Sequence, residues 1–285
     1  MARQGAGRQG HGAAGQGVAP HPSAPVAAKL RMRYAKRGRG RFSSHRDVAR
    51  AMEWALRRAG VPVALSHGFS PHPRLSWIGA APTGAASEAE YLEIGVTEPL
   101  DPAVVAAEVD AVLPDGLGVV DVVAVEAAGA GALADRIDAS RWRLELPGVD
   151  AAELAAAVAA LGARDSVEVE RMTKNGPRTL DVRAALVEVT VEGDGSGPDI
   201  PSGTADRGGA SDRGDPAATP RAAVCGTLSA VVRHTTPAVR PDDVLSALRT
   251  VAGLVPPVPA KATRTAQGRL DGNGLLDPFA EDRTV

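Results

Sequence analysis

Cationic side chains crowd one short stretch of this sequence. Lys29, Arg31, Arg33, Lys36, Arg37, Arg39, Arg41, Arg46, Arg50, Arg57 and Arg58 all fall within residues 29–58, against only two acids, Asp47 and Glu53. Guanidinium groups grip phosphate oxygens through paired hydrogen bonds, so the cluster suits a phosphate backbone, with an affinity that falls steeply as salt rises. A second group follows in Ser66-His67-Gly68-Phe69-Ser70-Pro71-His72-Pro73-Arg74. There Phe69 can stack on a base and Arg74 can hold a phosphate, with His67 and His72 beside them. His45 lies close to the patch, and its imidazole titrates near neutral pH, as an acid, a base or a ligand would. No catalytic set is assigned; His45 is the sole candidate, and a histidine at a helix start is more often a structural hydrogen bonder. The histidine spacing fits no metal motif, and no Ser/His/Asp set, carboxylate pair or dinucleotide fingerprint stands out.

The elements that position these groups are legible from period and caps. Lys29 to Tyr34 alternates basic and apolar, the period of a half-buried strand, which places Lys29, Arg31 and Arg33 on one sheet face. A glycine-bearing stretch, 35–42, then lets backbone approach a ligand. Ser43 or Ser44 caps the following helix, with Asp47 near its positive end, and Val48, Met52, Ala55, Leu56 and Ala59 form its apolar stripe before Gly60. Arg46, Arg50, Glu53 and Arg57 point away from that stripe. Strand pieces are predicted at 62–65, 75–80, 91–96 and 119–125, and a helix at 101–113 starting from Asp101 and Pro102. The order is β-α-β-β-α-β. The second block repeats it more loosely, with strands at 142–146, 167–172, 186–191 and 227–233 and helices at 150–161 and 241–251. The fold class expected is α+β, a duplicated ferredoxin-like (βαββαβ) arrangement. Its parts are a disordered tail at 1–28, a first half at 29–128, a second half at 139–264 interrupted by a low-complexity insertion at 193–221, and a flexible tail at 265–285. Trp54, Trp77 and Trp142 lie on predicted elements and are expected in the core.

Charge is separated along the chain: residues 88–150 carry fourteen acids against three basic side chains. Two further readings of the basic patch therefore stand beside phosphate binding. Carboxylates of the same block, such as Glu88, Glu90 and Glu93, can neutralise it, or it is a solvated face. A single cysteine, Cys225, excludes an intramolecular disulfide and any multi-cysteine cluster built from this chain, and fits a reducing, cytoplasmic compartment. No run of about 18 apolar residues predicts a membrane span.

The strings Lys29-Leu30-Arg31-Met32-Arg33-Tyr34-Ala35-Lys36-Arg37-Gly38, Arg41-Phe42-Ser43-Ser44-His45-Arg46-Asp47, Ala59-Gly60-Val61-Pro62-Val63, the 66–76 loop and Pro82-Thr83-Gly84-Ala85-Ala86-Ser87-Glu88-Ala89-Glu90-Tyr91-Leu92 carry a resemblance. Over about 29–264 the chain resembles the bacterial radical-SAM-linked family, domain of unknown function 2344, in its stand-alone form. That resemblance implies a radical SAM protein in trans, which supplies an iron–sulfur cluster and S-adenosylmethionine, with no cofactor bound by this chain. The function it implies is an accessory module, RNA-binding or substrate-presenting and not itself catalytic. The alternatives are an adaptor that docks the radical SAM enzyme without nucleic acid, and a metal-independent ribonuclease using His45. The last is a fold-level analogy: the pattern is also similar to RNA-binding, duplicated ferredoxin-like proteins of CRISPR repeat processing, but 267–272 departs from their late glycine-rich loop.

Overall fold

The computed structural model describes residues 24–126, 131–174, 176–192, 224–272 and 274–283. The alternating first segment is a strand, β1 (Ala28–Lys36), with Leu30, Met32 and Tyr34 buried on one side. Ser44 and Asp47 close a reciprocal capping box on α1 (His45–Arg58), whose buried stripe is Val48, Met52, Ala55 and Leu56. Then come β2 (Leu75–Ile78), β3 (Ala86–Val96), α2 (Pro102–Asp110), capped by Asp101, and β4 (Leu117–Glu126). All pairings among these strands are antiparallel, in the order β4-β1-β3-β2. Both helices cover one face, with a core of Leu30, Met32, Met52, Leu56, Leu92, Ile94, Val105 and Val109. The strand piece expected at 62–65 pairs only at isolated positions, Val63 with Val96 and Leu65 with Pro73. Pro62 has no amide to give a ladder, and the chain folds back at once, Arg74 N donating to Ala64 O at 2.8 Å.

The second half runs β5 (Ala139–Pro147), α3 (Ala151–Gly162), β6 (Glu168–Thr173), β7 (Gly176–Asp181), α4 (Val182–Ala185), β8 (Leu186–Glu192), β9 (Cys225–Arg233), α5 (Pro241–Ala252), β10 (Lys261–Asp271) and β11 (Gly274–Leu276). Its strands are also antiparallel, in the order β10-β5-β9-β8. The segment expected as a sheet strand at 167–172 instead pairs with β7 as a separate ribbon. β10 lies parallel to β3 through Thr263↔Ala86 and Arg264↔Ser87, joining both halves in one sheet. The fold is mixed α+β, and no helix among the described residues is long and apolar enough to cross a membrane.

Two boundaries differ from expectation. Residues 1–23 of the tail, and the whole 193–221 insertion, lie outside the described residues, but Ala27 N already bonds Val96 O at 2.9 Å and Ala28 opens β1. The expected flexible tail at 265–285 is ordered structure as far as it is described. It holds most of β10, a hairpin to β11, and Phe279, which is 0% exposed among Ala89, Tyr91, Val123, Leu133 and Ile137. Its few apolar residues are too sparse to show a period, yet one aromatic is enough to anchor it.

Candidate functional site

The cations of β1 are spoken for. Pairing with β3 sets Arg31 opposite Glu93 and Lys29 beside it, the cross-strand arrangement that favours opposite charges. Lys29 Nζ lies 2.8 Å from Glu93 Oε1, and Arg31 Nε lies 3.1 Å from Glu93 Oε2. Arg31 is 0% exposed; its Nη1 is 2.8 Å from Asp282 of the C-terminal segment and its Nη2 donates to the Gly131 carbonyl. Arg33 is half-buried near Tyr91 and Asp277, with a buried Nε that has no hydrogen-bond partner. Lys36 is buried, with Nζ 3.3 Å from Ala81 O, and burial lowers its pKa. Arg37 donates to Glu88 through Nε at 2.8 Å. The expected open surface therefore does not extend over β1, because carboxylates from β3 and the C-terminal segment neutralise it. Arg74 is exposed, but it shares a shallow hollow with Lys29 and Glu93, away from α1. The predicted residues do not converge on one groove.

The loop and helix differ. Arg39, Arg46, Arg50, Arg57 and Arg58 are exposed, and none has a carboxylate within 4.0 Å among the described residues. Arg46, Arg50, Trp54 and Arg58 recur every four residues, one line along α1. Trp54, expected in the core, is 51% exposed within that line, whereas Trp77 is half-buried and Trp142 buried. Two acids adjoin the row in sequence, Glu53 and Asp47; the Ser44 hydroxyl donates to Asp47 Oδ2 at 2.6 Å, and this bond, with a smaller effect of the Arg50 charge, lowers the Asp47 pKa. Arg41 stacks its guanidinium 4.6 Å from the centre of the exposed Phe42 ring. Of the two glycines of this loop, Gly40 serves packing, since a Cβ there would lie 2.5 Å from Gly116 O, whereas Gly38 has a positive φ and open space around it. His45 is exposed, its ring edge-on to Trp77 at 5.4 Å. His67, His72 and Phe69 (80% exposed) sit on the 66–74 loop, held closed by Ser66 Oγ accepting from His72 N at 3.0 Å. A groove of about 200 Å³ between α1 and the base of that loop is lined by Glu53, Arg57, Leu65 and Pro73.

A second place was not foreseen. A cleft of about 370 Å³ opens between the halves, lined by Gly79 and Pro82 on one side and Ser140, Trp142, His234 and Arg264 on the other. Ser140 Oγ lies 2.7 Å from His234 Nε2. The Ser140 hydroxyl also lies 3.4 Å from Gln267 Oε1, so its proton goes to that oxygen or to His234 according to the imidazole tautomer. His234 is exposed on one side, but the partial desolvation of its ring in the cleft, then the Arg264 charge, lowers its pKa. Arg264 donates from Nη2 to Glu90 and from Nε to Ser87 Oγ at 3.3 Å, 5.4 Å from the Trp142 ring. Ser140, Arg264 and Gln267 are polar at buried strand positions, a signal available from strand phase. Their spacing carried none, because two strands far apart in sequence, β5 and β10, bring them together. Among the described residues no group of three or more His, Cys, Asp or Glu side chains gathers in a metal-holding arrangement.

Fold and surface together define a mixed α+β protein with a cationic, aromatic helix face and a polar cleft between its halves. The chain belongs to a family of uncharacterized proteins conserved in bacteria, domain of unknown function 2344, whose model matches residues 29–241. No curated protein matches it. The matched stretch stops at the first residue of α5, before β10 completes the sheet.

Proposed function

We propose that this protein is a non-catalytic accessory module, acting in the cytoplasm, that binds RNA or presents a substrate through α1 and the loop before it, in the service of a radical SAM enzyme acting in trans. The row Arg46, Arg50, Trp54 and Arg58 carries the reading: unpaired guanidiniums flank an exposed indole, joining phosphate grip to base stacking. The radical SAM partner, with its cluster and S-adenosylmethionine, rests on the sequence resemblance. We read the two halves as duplicated ferredoxin-like units, supported by the matching orders β4-β1-β3-β2 and β10-β5-β9-β8. On that reading the β6-β7 ribbon and α4 are inserted in the second unit.

Filter binding of structured RNA at low and moderate salt tests the proposal. Wild type should bind at low salt and weaken as salt rises. The triple variant Arg46→Ala/Arg50→Ala/Arg58→Ala should bind more weakly, with a salt slope lower by about two to three. No binding at low salt, or equal binding by the variant, sinks it. A tryptophan among arginines is also the composition of a protein-interface hot spot, which favours the adaptor reading as the second choice. Nuclease-insensitive co-purification with a radical SAM enzyme, without RNA, would select it. RNA left intact after long incubation with wild type would remove the ribonuclease reading through His45.

A further inference from the structure

The cleft between the halves takes no part in the reading above. Arg264 lines its polar floor, and Lys36 is buried behind it with Nζ 3.3 Å from Ala81 O and 3.4 Å from Pro82 O; Glu90 faces both, and Asp138 lies near His234. Glu90 is itself divided, taking the Ala81 amide on Oε2 at 3.1 Å. Arg264, only 3% exposed, spends Nε on Ser87 and Nη2 on Glu90, which leaves Nη1 without a hydrogen bond among the described residues. Arg240 stands exposed at the mouth, and its side chain has no ion pair among the described residues. Of the two acids in the first turn of α5, Asp242 is exposed, and Asp243 is held by Arg171 and by the Arg240 backbone amide at 2.8 Å. A guanidinium nitrogen that lines a cleft and is not taken by the protein can donate a charge-assisted hydrogen bond to an anionic ligand. Trp142 gives the same cavity an apolar wall, and its volume is within the range of small-molecule sites.

We propose that this cleft binds a small molecule bearing one oxyanionic group, a phosphate monoester or a carboxylate, gripped by Arg264 and Arg240. The Ser140 hydroxyl, held 2.7 Å from His234 Nε2 and 3.4 Å from Gln267 Oε1, can turn its proton to the ligand. The rest of the ligand lies against Trp142. Gln267 fixes the floor, its Nε2 donating to Ala89 O at 2.5 Å.

Calorimetric titration of the full chain with inorganic phosphate and, separately, with acetate, at constant ionic strength, tests this. Saturable binding of one of the two is expected, and which one it is separates the two ligand sources. Arg240→Ala, at an exposed position that tolerates change, should weaken binding about tenfold, as loss of a charge-assisted hydrogen bond does. Arg264→Gln should abolish it; if that variant does not fold, Arg240→Ala and Ser140→Ala decide the matter. The Arg46→Ala/Arg50→Ala/Arg58→Ala variant should bind phosphate or acetate like wild type. Absence of saturable binding by either anion, binding untouched by the cleft variants, or binding lost only in the α1 variant each overturns the proposal. None of these results bears on RNA binding by α1.

Discussion

Arg31 and Arg46 carry the same guanidinium and meet opposite fates. Arg31 is sealed between Glu93 and Asp282, whereas Arg46 stands in solvent. Arg31→Ala removes the guanidinium shared by two largely buried carboxylates, leaving Glu93 to Lys29 and Asp282 to Arg136, and should cost about 1.5 to 3 kcal/mol of stability, read by urea unfolding. Arg46→Ala should stay within about 0.5 kcal/mol in the same measurement. Equal costs would mean that Arg31 is not the ion-pair hub described here. His234 makes a prediction of direction. Partial desolvation and Arg264 hold its pKa below the ordinary 6.5, so the folded state binds fewer protons than the unfolded one. Its contribution to stability is complete above pH 6.5 and drains away as the pH falls below that value. The stability advantage of wild type over His234→Gln should therefore shrink between about pH 6.5 and pH 5; an advantage constant over that interval would contradict the assignment.

At the scale of elements, local signals did their work. Ser44 and Asp47 form the reciprocal cap, and Asp101 accepts from Ala103 N at 2.8 Å ahead of Pro102. Ser44→Ala should cost about 1 kcal/mol, measured by thermal or urea unfolding. The turn between β1 and α1 is tied to the start of β4 by Arg37 N donating to Gly116 O at 2.7 Å. Gly40→Ala would drive a methyl group into that same carbonyl and displace the loop that carries Arg39 and Arg41. The basic and aromatic row on α1 was half legible. Its arginines followed from the helical period, but Trp54 was placed in the core because aromatic residues usually lie there. Its position four residues after Arg50 and four before Arg58 is the cue that marks it as exposed.

At the scale of the molecule, the C-terminal segment closes the back of the first half. Phe279 packs edge-on against Tyr91 at 5.4 Å, Arg136 Nη1 reaches the Pro278 carbonyl at 3.0 Å, and Arg283 bridges Asp277 at 2.7 Å and Asp121. Phe279→Ala should cost about 3 to 5 kcal/mol, since an aromatic side chain is lost from a site with 0% exposure. A change near zero in chemical unfolding would show the segment to be a loose appendage. One sheet runs through both halves, and the Arg264–Glu90 pair crosses between them. Unfolding followed by tryptophan fluorescence and by far-UV circular dichroism should therefore coincide in a single transition.

Sequence alone determined what depends on neighbours within a turn or a strand: the caps of α1 and α2, the alternation of β1, the amphipathic stripe of α1, and the scarcity of sulfur. It also announced the basic patch as a composition. Which of those charges remain free was decided by tertiary structure, because neutralisation depends on register between strands. Glu93 reaches Arg31 across a separation of 62 residues, and Asp282 does so across 251. The cleft is of the same kind. Ser140 and His234 touch only because β5 and β9 pair antiparallel, and Arg264 joins them only because β10 returns beside β5. Local propensity acts over a few residues, whereas charge pairing and site assembly act through space.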